Sequence, residues 1–599
     1  MSDMPYTERQ KIERNYLRKM LRTLSRYIKG FGLAVFLTPL FMIGEVICEM
    51  VIPRLMAKIV DDGIYAGDMS IITATGGVMV LVALAGLLFG ILGGVFGSKA
   101  SCGFARNLRK GMFDNIQTFS FANIDKFSSA GLVTRLTTDV TNVQNAFQMI
   151  LRMAMRAPAS LIIAMVMSFS INARLASIYL VASVFLAVVI MLLMKRVYKY
   201  FSELFKKYDA LNESVQENVS AIRVVKAYVR EDHETDKFTK AVANLYLMFI
   251  QAEMNMILIM PLMSLTIYAC MLLMSWFGAH LVVGGTLPVG DLMSLFTYCM
   301  NILMNLMMLS MVFVMLAMSR ASAKRICEVL EEESTLHSPD NALMKVKDGS
   351  IRFENASFAY NAESVEPVLK NINLDIHSGE AIGIIGATGS AKSSLVALIS
   401  RLYDVTNGKV LVGGEDVRAY DLEILRDAVS VVLQNNVLFT GTIYDNLRWG
   451  NKNATDEECK EAARMACVDE FIERFTDGYN TEISQGGTNV SGGQKQRLCI
   501  ARALLKKPKV LILDDSTSAC DTATDARIRK AFRESIPDTT KLIIAQRISS
   551  VQDLDRIIVM ENGEVNGFGT HEELMAGNAI YREVYESQTG GNADFDEAE

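Results

Sequence analysis

The sequence predicts a helical membrane domain of six spans with long extensions beyond the bilayer, followed by an α/β P-loop (RecA-like) domain. Three observations carry this prediction. Apolar residues crowd before about residue 320; a glycine-rich loop ending in Lys-Ser follows the apolar run 381–385; and a second apolar run, 510–513, ends in two aspartates. Composition agrees. Of 599 residues, 51% are hydrophobic and 21% charged, against about 25% charged in a soluble domain. The net charge of −6 argues against a nucleic-acid partner held by bulk electrostatics. Nine cysteines, at 48, 102, 270, 299, 327, 459, 467, 499 and 520, form no C-x-x-C pair, which excludes a zinc ribbon and fits a reducing compartment. The first thirty residues hold eight Lys or Arg and no short apolar core with a cleavage site, so no removable leader is expected.

Residues 1–29 place Ile12, Tyr16 and Met20 four apart amid Arg9, Lys11, Arg14 and Arg18, the pattern of an amphipathic elbow helix at the cytoplasmic interface. The membrane domain, 30–330, has apolar stretches at about 30–56, 71–98, 143–169, 175–196, 250–281 and 291–318. Each is long enough for ~30 Å of hydrocarbon. Lys and Arg are dense before the first span and after the second and fourth, but absent from 61–70 and 284–290, and only Arg174 falls in 170–174. By the positive-inside rule both termini are cytoplasmic. The intervals 71–170 and 175–281 each run about a hundred residues without an apolar core of their own, so each reads as two long helices joined by a short turn, near 121–128 and 217–227. Gly86, Gly90 and Gly94, with Gly93 and Gly97 offset, mark close helix packing. The polar stretch 331–349, containing Pro339, reads as a linker to the α/β domain at 350–586, and 587–599 as an acidic tail.

Within that domain, Gly386, Ala387, Thr388, Gly389, Ser390, Ala391, Lys392, Ser393 and Ser394 follow a buried strand and open a helix. This is a P-loop: backbone N–H groups cradle phosphates, Lys392 reaches the outer phosphates and Ser393 ligates Mg²⁺. The last glycine of the G-x-x-x-x-G-K-[ST] pattern is Ala391 here. If the position needs positive φ, or a phosphate passes its Cα, the alanine weakens binding; otherwise the change is mild. Asp514 ends the second apolar strand, a place for an acidic residue serving Mg²⁺.

Upstream of it lies Asn489-Val490-Ser491-Gly492-Gly493-Gln494-Lys495-Gln496-Arg497. With these residues the chain resembles the ATP-binding cassette (ABC) transporters, specifically exporters whose six spans precede a nucleotide-binding domain, and the resemblance covers nearly the whole chain. It implies an ABC α-subdomain, ATP and Mg²⁺ as cofactors, Tyr360 stacking on adenine, and Gln434 touching Mg²⁺ and reporting to the membrane turns. It also implies that Ser518-Ala519-Cys520-Asp521 crosses to an opposing nucleotide domain. Each ATP is then held between the P-loop of one domain and the Ser491, Gly492, Gly493, Gln494 segment of the other.

Two catalytic positions depart from the family. Asp515 stands where hydrolytic members carry Glu, one methylene too short to align the attacking water, and Gln546 stands where they carry His. The five histidines, 233, 280, 337, 377 and 571, allow no shifted alignment to restore one. This resembles the degenerate-site subunit of heterodimeric exporters, as does the stretch 485–489. The implied partner is a different half-transporter with intact catalytic Glu and His, and no nucleic acid is expected.

For the cargo, hydrophobic or amphipathic drug-like compounds are expected, with lipid or peptide export as the alternative on the same architecture. A regulator or channel gated by ATP without transport is a rival of a different class. Glu45 and Glu49, on one face of the first span, suggest a cation contact, or else pairing with Arg54 or helix capping near the outer surface; Asn301 and Asn305 suggest the same cavity. Met304 and Met308 belong to a methionine-rich pair of spans that reads either as an adaptable substrate surface or as packing. The location expected is a bacterial-type plasma membrane, among lipid.

Overall fold

Six helices among the described residues are long and apolar enough to cross a membrane: Gly32–Ile64, Met69–Ile116, Ser129–Ile171, Ala173–Leu193, Ile259–Val283 and Val289–Phe313. The computed structural model describes residues 6–361, 366–515 and 521–589. The chain forms two units, Met1–Gln117 with Ala130–Glu332, and Thr118–Ser129 with Glu333–Glu599.

In chain order the first helices are α1 (Tyr6–Ser25), α2 (Gly32–Lys58), α3 (Met69–Ile116), α4 (Phe121–Phe127), α5 (Ser129–Thr134), α6 (Val140–Ile171), α7 (Ala173–Ser220), α8 (Ile222–Ala227), α9 (Glu231–Met256), α10 (Ile259–Val283) and α11 (Val289–Glu331). At ~1.5 Å per residue, the 48 residues of α3 and of α7 reach about 72 Å, more than twice a bilayer's ~30 Å core. Their starts are set locally. Asp68 accepts from the Ser70 and Ile71 N–H groups, and Asn172 from those of Arg174 and Leu175. The short turns expected near 121–128 and 217–227 are α4 and α8. α1 packs on the end of α11: Met20 is buried, and Lys19 and Thr23 both reach the Glu331 carboxylate at 2.6 Å. The Ile12 side chain lies outside the described residues.

Antiparallel α2 and α3 meet along glycines. A Cβ on Gly86, Gly90, Gly93 or Gly97 would press on Cys48, Glu45, Met42 and Thr38 respectively. Gly94, which four-residue spacing puts in this stripe, faces open space, because the contact row drifts by one residue over 3.6-residue turns. α11 is tied to α2 and α6 by Tyr298 Oη donating to the Met50 carbonyl (2.7 Å), Asn305 Nδ2 to Ser160 Oγ (2.9 Å), and a two-pronged Arg325–Asp139 pair on a fully buried carboxylate.

The second unit holds β1 (Ile351–Phe358), β2 (Leu369–Ile376), β3 (Ala381–Gly386), α12 (Lys392–Ile399), β4 (Asn407–Val412), β5 (Glu415–Asp416), α13 (Leu422–Ala428), β6 (Val429–Val432), β7 (Gly441–Thr442), α14 (Ile443–Arg448), α15 (Asp456–Met465), α16 (Asp469–Ile472), β8 (Glu482–Ile483), α17 (Gly492–Leu504), β9 (Val510–Asp514), α18 (Thr522–Ser535), β10 (Thr540–Ile544), β11 (Arg556–Glu561), β12 (Glu564–Gly569), α19 (His571–Gly577) and α20 (Ala579–Thr589). One sheet runs β2-β1-β4-β5; a second runs β12-β11-β3-β10-β9-β6, with β11, β3, β10, β9 and β6 parallel; and β7 pairs with β8 in a third, two-stranded one. β3, β9 and β10 are buried nearly throughout, as parallel strands covered on both faces must be. α14 to α17 pack around a second core containing Leu447, Cys459, Phe471 and Leu498. α20 continues to Thr589, three residues into the stretch expected as tail; 590–599 lie outside the described residues.

Candidate nucleotide site and membrane cavity

β3, β10 and β9 end along one edge of their sheet, and the loops leaving them carry the predicted groups. Gly386 takes φ +150°, and a Cβ there would lie 2.2 Å from the Met560 carbonyl; Gly389 takes φ +88°. Ala391 takes φ +69°, so of the two alternatives left open by the sequence, the costly one holds. A left-handed L-residue costs roughly 1–2 kcal/mol that glycine avoids. The exposed residues Ala387, Thr388 and Gly389 then lead through buried Ser390 into α12.

Lys392 Nζ donates to the Gly386 and Ala387 carbonyls at 2.9 and 2.8 Å. Burial holds its pKa below the usual lysine value, against the pull of Asp514 and Asp515. Ser393 Oγ donates to Asp514 Oδ1 at 3.0 Å, a pair of hard oxygen ligands that fits Mg²⁺. Burial, reinforced by Asp515, raises the Asp514 pKa above the ordinary carboxylate value, with Ser393 opposing. One residue on, Asp515 sits at φ +50°, and its Oδ2 accepts from Gln546 Nε2 at 2.8 Å. The two departures from the family are therefore bonded to each other.

Tyr360 is half exposed, its hydroxyl 2.8 Å from Ser394 Oγ. Its ring meets Tyr403 edge-on, with centroids 5.1 Å apart. Tyr403 Oη donates to Asp125 Oδ2 of α4 at 2.6 Å, and burial followed by this bond raises the Tyr403 pKa. Gln434 is exposed and makes no hydrogen bond among the described residues. Ser491 caps α17 in a capping box with Gln494, leaving Gly492 exposed and Gly493 partly so at the helix start. No hydrogen bond joins these four residues to 386–394 among the described residues. Asp521 caps α18 through Thr524, whose backbone bond lowers the Asp521 pKa. Ser518, Ala519 and Cys520 lie outside the described residues.

Sequence reasoning missed Tyr403, Asp125 and Gln588. Gln588 of α20 brackets the Gln546 loop, donating to the Gln546 carbonyl (2.9 Å) and accepting from the Ile548 N–H (2.8 Å). No local pattern marks any of them.

In the membrane unit the cation reading of Glu45 and Glu49 is corrected. Arg156 of α6 bonds Glu45 Oε1 and Glu49 Oε2, both at 2.9 Å, while Arg54 pairs with Asp291. The carboxylates are already held by the protein's own cation. The signal was visible, since Arg152 and Arg156 stand four apart inside a predicted span. The shared cavity is corrected too. A 490 Å³ cavity beside Glu45 and Glu49 is walled by α2, α3 and α6. Asn301, Asn305, Met304 and Met308 lie on α11 and line no part of it; Asn305 spends its amide on Ser160 and the Asn301 carbonyl. Of the fifth-span methionines, Met263 and Met274 are buried packing.

Six spans joined to a P-loop domain of this topology define an ATPase-coupled transmembrane transporter. Residues 35–331 match the ABC transporter transmembrane region and residues 369–518 the ABC transporter domain. An uncharacterized ABC transporter ATP-binding protein of Bacillus subtilis (strain 168), YfiB, is 36% identical over 571 residues, covering 95% of this chain and 99% of its own. Rv1273c of Mycobacterium tuberculosis (strain ATCC 25618 / H37Rv) is 36% identical over 575 residues, covering 95% and 98%. A solved bacterial Atm1-family ABC exporter with ATP bound superposes with a TM-score of 0.78 at 23% identity, covering 94% of this chain and 99% of that one, a likeness of fold. The chain belongs to the ABC transporter family.

Proposed function

We propose that this chain is one half of a heterodimeric exporter of hydrophobic or amphipathic compounds, and that its own P-loop builds the weakly hydrolytic ATP site. The observation that carries this is the 2.8 Å bond from Gln546 to Asp515. A carboxylate one methylene short, and held by a neighbouring amide, is not free to polarise water, and an amide offers no titratable base. Tyr360 would stack on the adenine of ATP, the 386–394 loop with Lys392 would hold its phosphates, and Ser393, Asp514 and Gln434 would hold Mg²⁺, which would neutralise phosphate charge. Ser491, Gly492, Gly493 and Gln494, with Asp521, complete the competent site of a partner that supplies Glu and His. The exposed Val224, Tyr228 and Val229 at the α8 turn are apolar surface of the kind a partner subunit covers. Both termini face the cytoplasm of a bacterial-type plasma membrane, as the distribution of Lys and Arg supports.

The test is ATPase activity of the chain alone, of the chain with a copurified partner, and of that pair with the partner's catalytic Glu changed to Gln. Activity in the intact pair only is the expected result; robust turnover by the lone chain would sink the reading.

A further inference from the structure

The 490 Å³ cavity between α2, α3 and α6 contains more than the Glu45–Arg156–Glu49 cluster. Arg152, one turn before Arg156 on the same helix, also lines it. Its stem packs where Gly97 of α3 leaves room, a Cβ there falling 3.3 Å from Arg152 Cγ and Cδ. Its Nε is buried without a hydrogen bond, and the side chain has no ion pair among the described residues. Counted along α6 at ~1.5 Å per residue, Arg152 lies about 29 Å from Ile171, near the far edge of a ~30 Å hydrocarbon core. A guanidinium there with a buried nitrogen left unbonded is costly unless something meets its hydrogen-bonding groups. Glu45 and Glu49 balance the two arginines in charge, but both bond Arg156 and neither bonds Arg152. The rest of the wall, Cys48, Leu87 and Ile91 among it, is apolar, and the volume suits a drug-sized body.

We infer that this cavity binds an amphiphile carrying an oxyanion, a carboxylate or phosphate, anchored on Arg152, with its apolar body against α2 and α3. This rests on the reading of the chain as a transporter of amphipathic compounds, and it reverses the charge of cargo that the two glutamates suggested. The same chemistry has two sources, a transported anionic amphiphile and an anionic lipid headgroup.

The full-length chain, with its copurifying subunit, is placed in phosphatidylcholine nanodiscs without nucleotide and titrated with dansyl-labelled undecanoate and with its methyl ester. The wild type is expected to bind the carboxylate at least about tenfold more tightly than the ester. Arg152→Gln should bring the carboxylate down to the ester's affinity while ester binding persists, and Arg152→Lys should keep most of the preference. Glu49→Gln, which frees an Arg156 N–H, should strengthen carboxylate binding about threefold. Equal binding of the two probes by wild type, or undiminished carboxylate binding by Arg152→Gln, would overturn the inference. If Arg152→Gln loses both probes, Glu49→Gln decides: a rise supports the site, no change or a fall overturns it. Adding phosphatidylglycerol separates the sources, since displacement of the probe that depends on Arg152 assigns the site to lipid and its absence to a soluble amphiphile. Because no nucleotide is present, failure here leaves the ATPase test of the heterodimer standing.

Discussion

The nucleotide unit presents two regions to phosphates, and they are in different condition. At the sheet edge, three positions depart from what their backbone or chemistry asks: Ala391 at φ +69°, Asp515 at φ +50°, and Gln546 bonded to Asp515. At the start of α17, Ser491 and Gln494 close a regular capping box and the glycines remain accessible. Both regions lie in one folded unit, so general loss of function would have spread across them. The contrast teaches that the two regions answer to different demands, as they would if they served different ATP molecules.

The largest expected effect tests that division. In the copurified pair, Ser491→Arg should lower ATP turnover by about 100-fold, because it blocks the partner's site, whereas Lys392→Ala should lower it only about threefold. Equal losses would break the comparison. Next, the double change Asp515→Glu with Gln546→His should raise turnover of the lone chain at least about tenfold, with each single change giving little, because the two side chains are bonded to each other. A third expectation concerns pH. Burial raises the Asp514 pKa, so protons compete with Mg²⁺ at a higher pH than at an ordinary aspartate. Mg²⁺-dependent nucleotide binding should therefore weaken as pH falls, beginning above the usual carboxylate range, and Asp514→Asn should abolish that slope along with most Mg²⁺ dependence. A fluorescent ATP analogue titrated across pH reads this directly. The smallest effect sharpens the picture of the loop. Ala391→Gly should relieve about 1 kcal/mol of left-handed strain already present in the folded loop and so raise the unfolding free energy of the chain by about that much in a urea titration. Unchanged stability would mean that the loop yields at this position without strain.

Much was legible because it is written locally. Six spans announce themselves by twenty or so apolar residues each, the turns at α4 and α8 by the length of the intervals around them, and the P-loop by glycines between a strand and a helix. The identities Asp515 and Gln546 were equally plain in the chain. What the sequence could not say is what these side chains touch. Asp515 and Gln546 are 31 residues apart, Arg156 and its glutamates more than a hundred, and Asp125 and Tyr403 278. Such pairs depend on which helices and strands become neighbours. The conformation at Ala391 is of the same kind, since a residue's φ is imposed by the loop it closes. A sequence by itself therefore determined which groups this protein carries and which segments cross the membrane. Only the tertiary structure decided that Glu45 and Glu49 bond Arg156 while Arg152 has no ion pair among the described residues, because electrostatic pairing acts over a few ångströms of space and takes no account of distance along the chain.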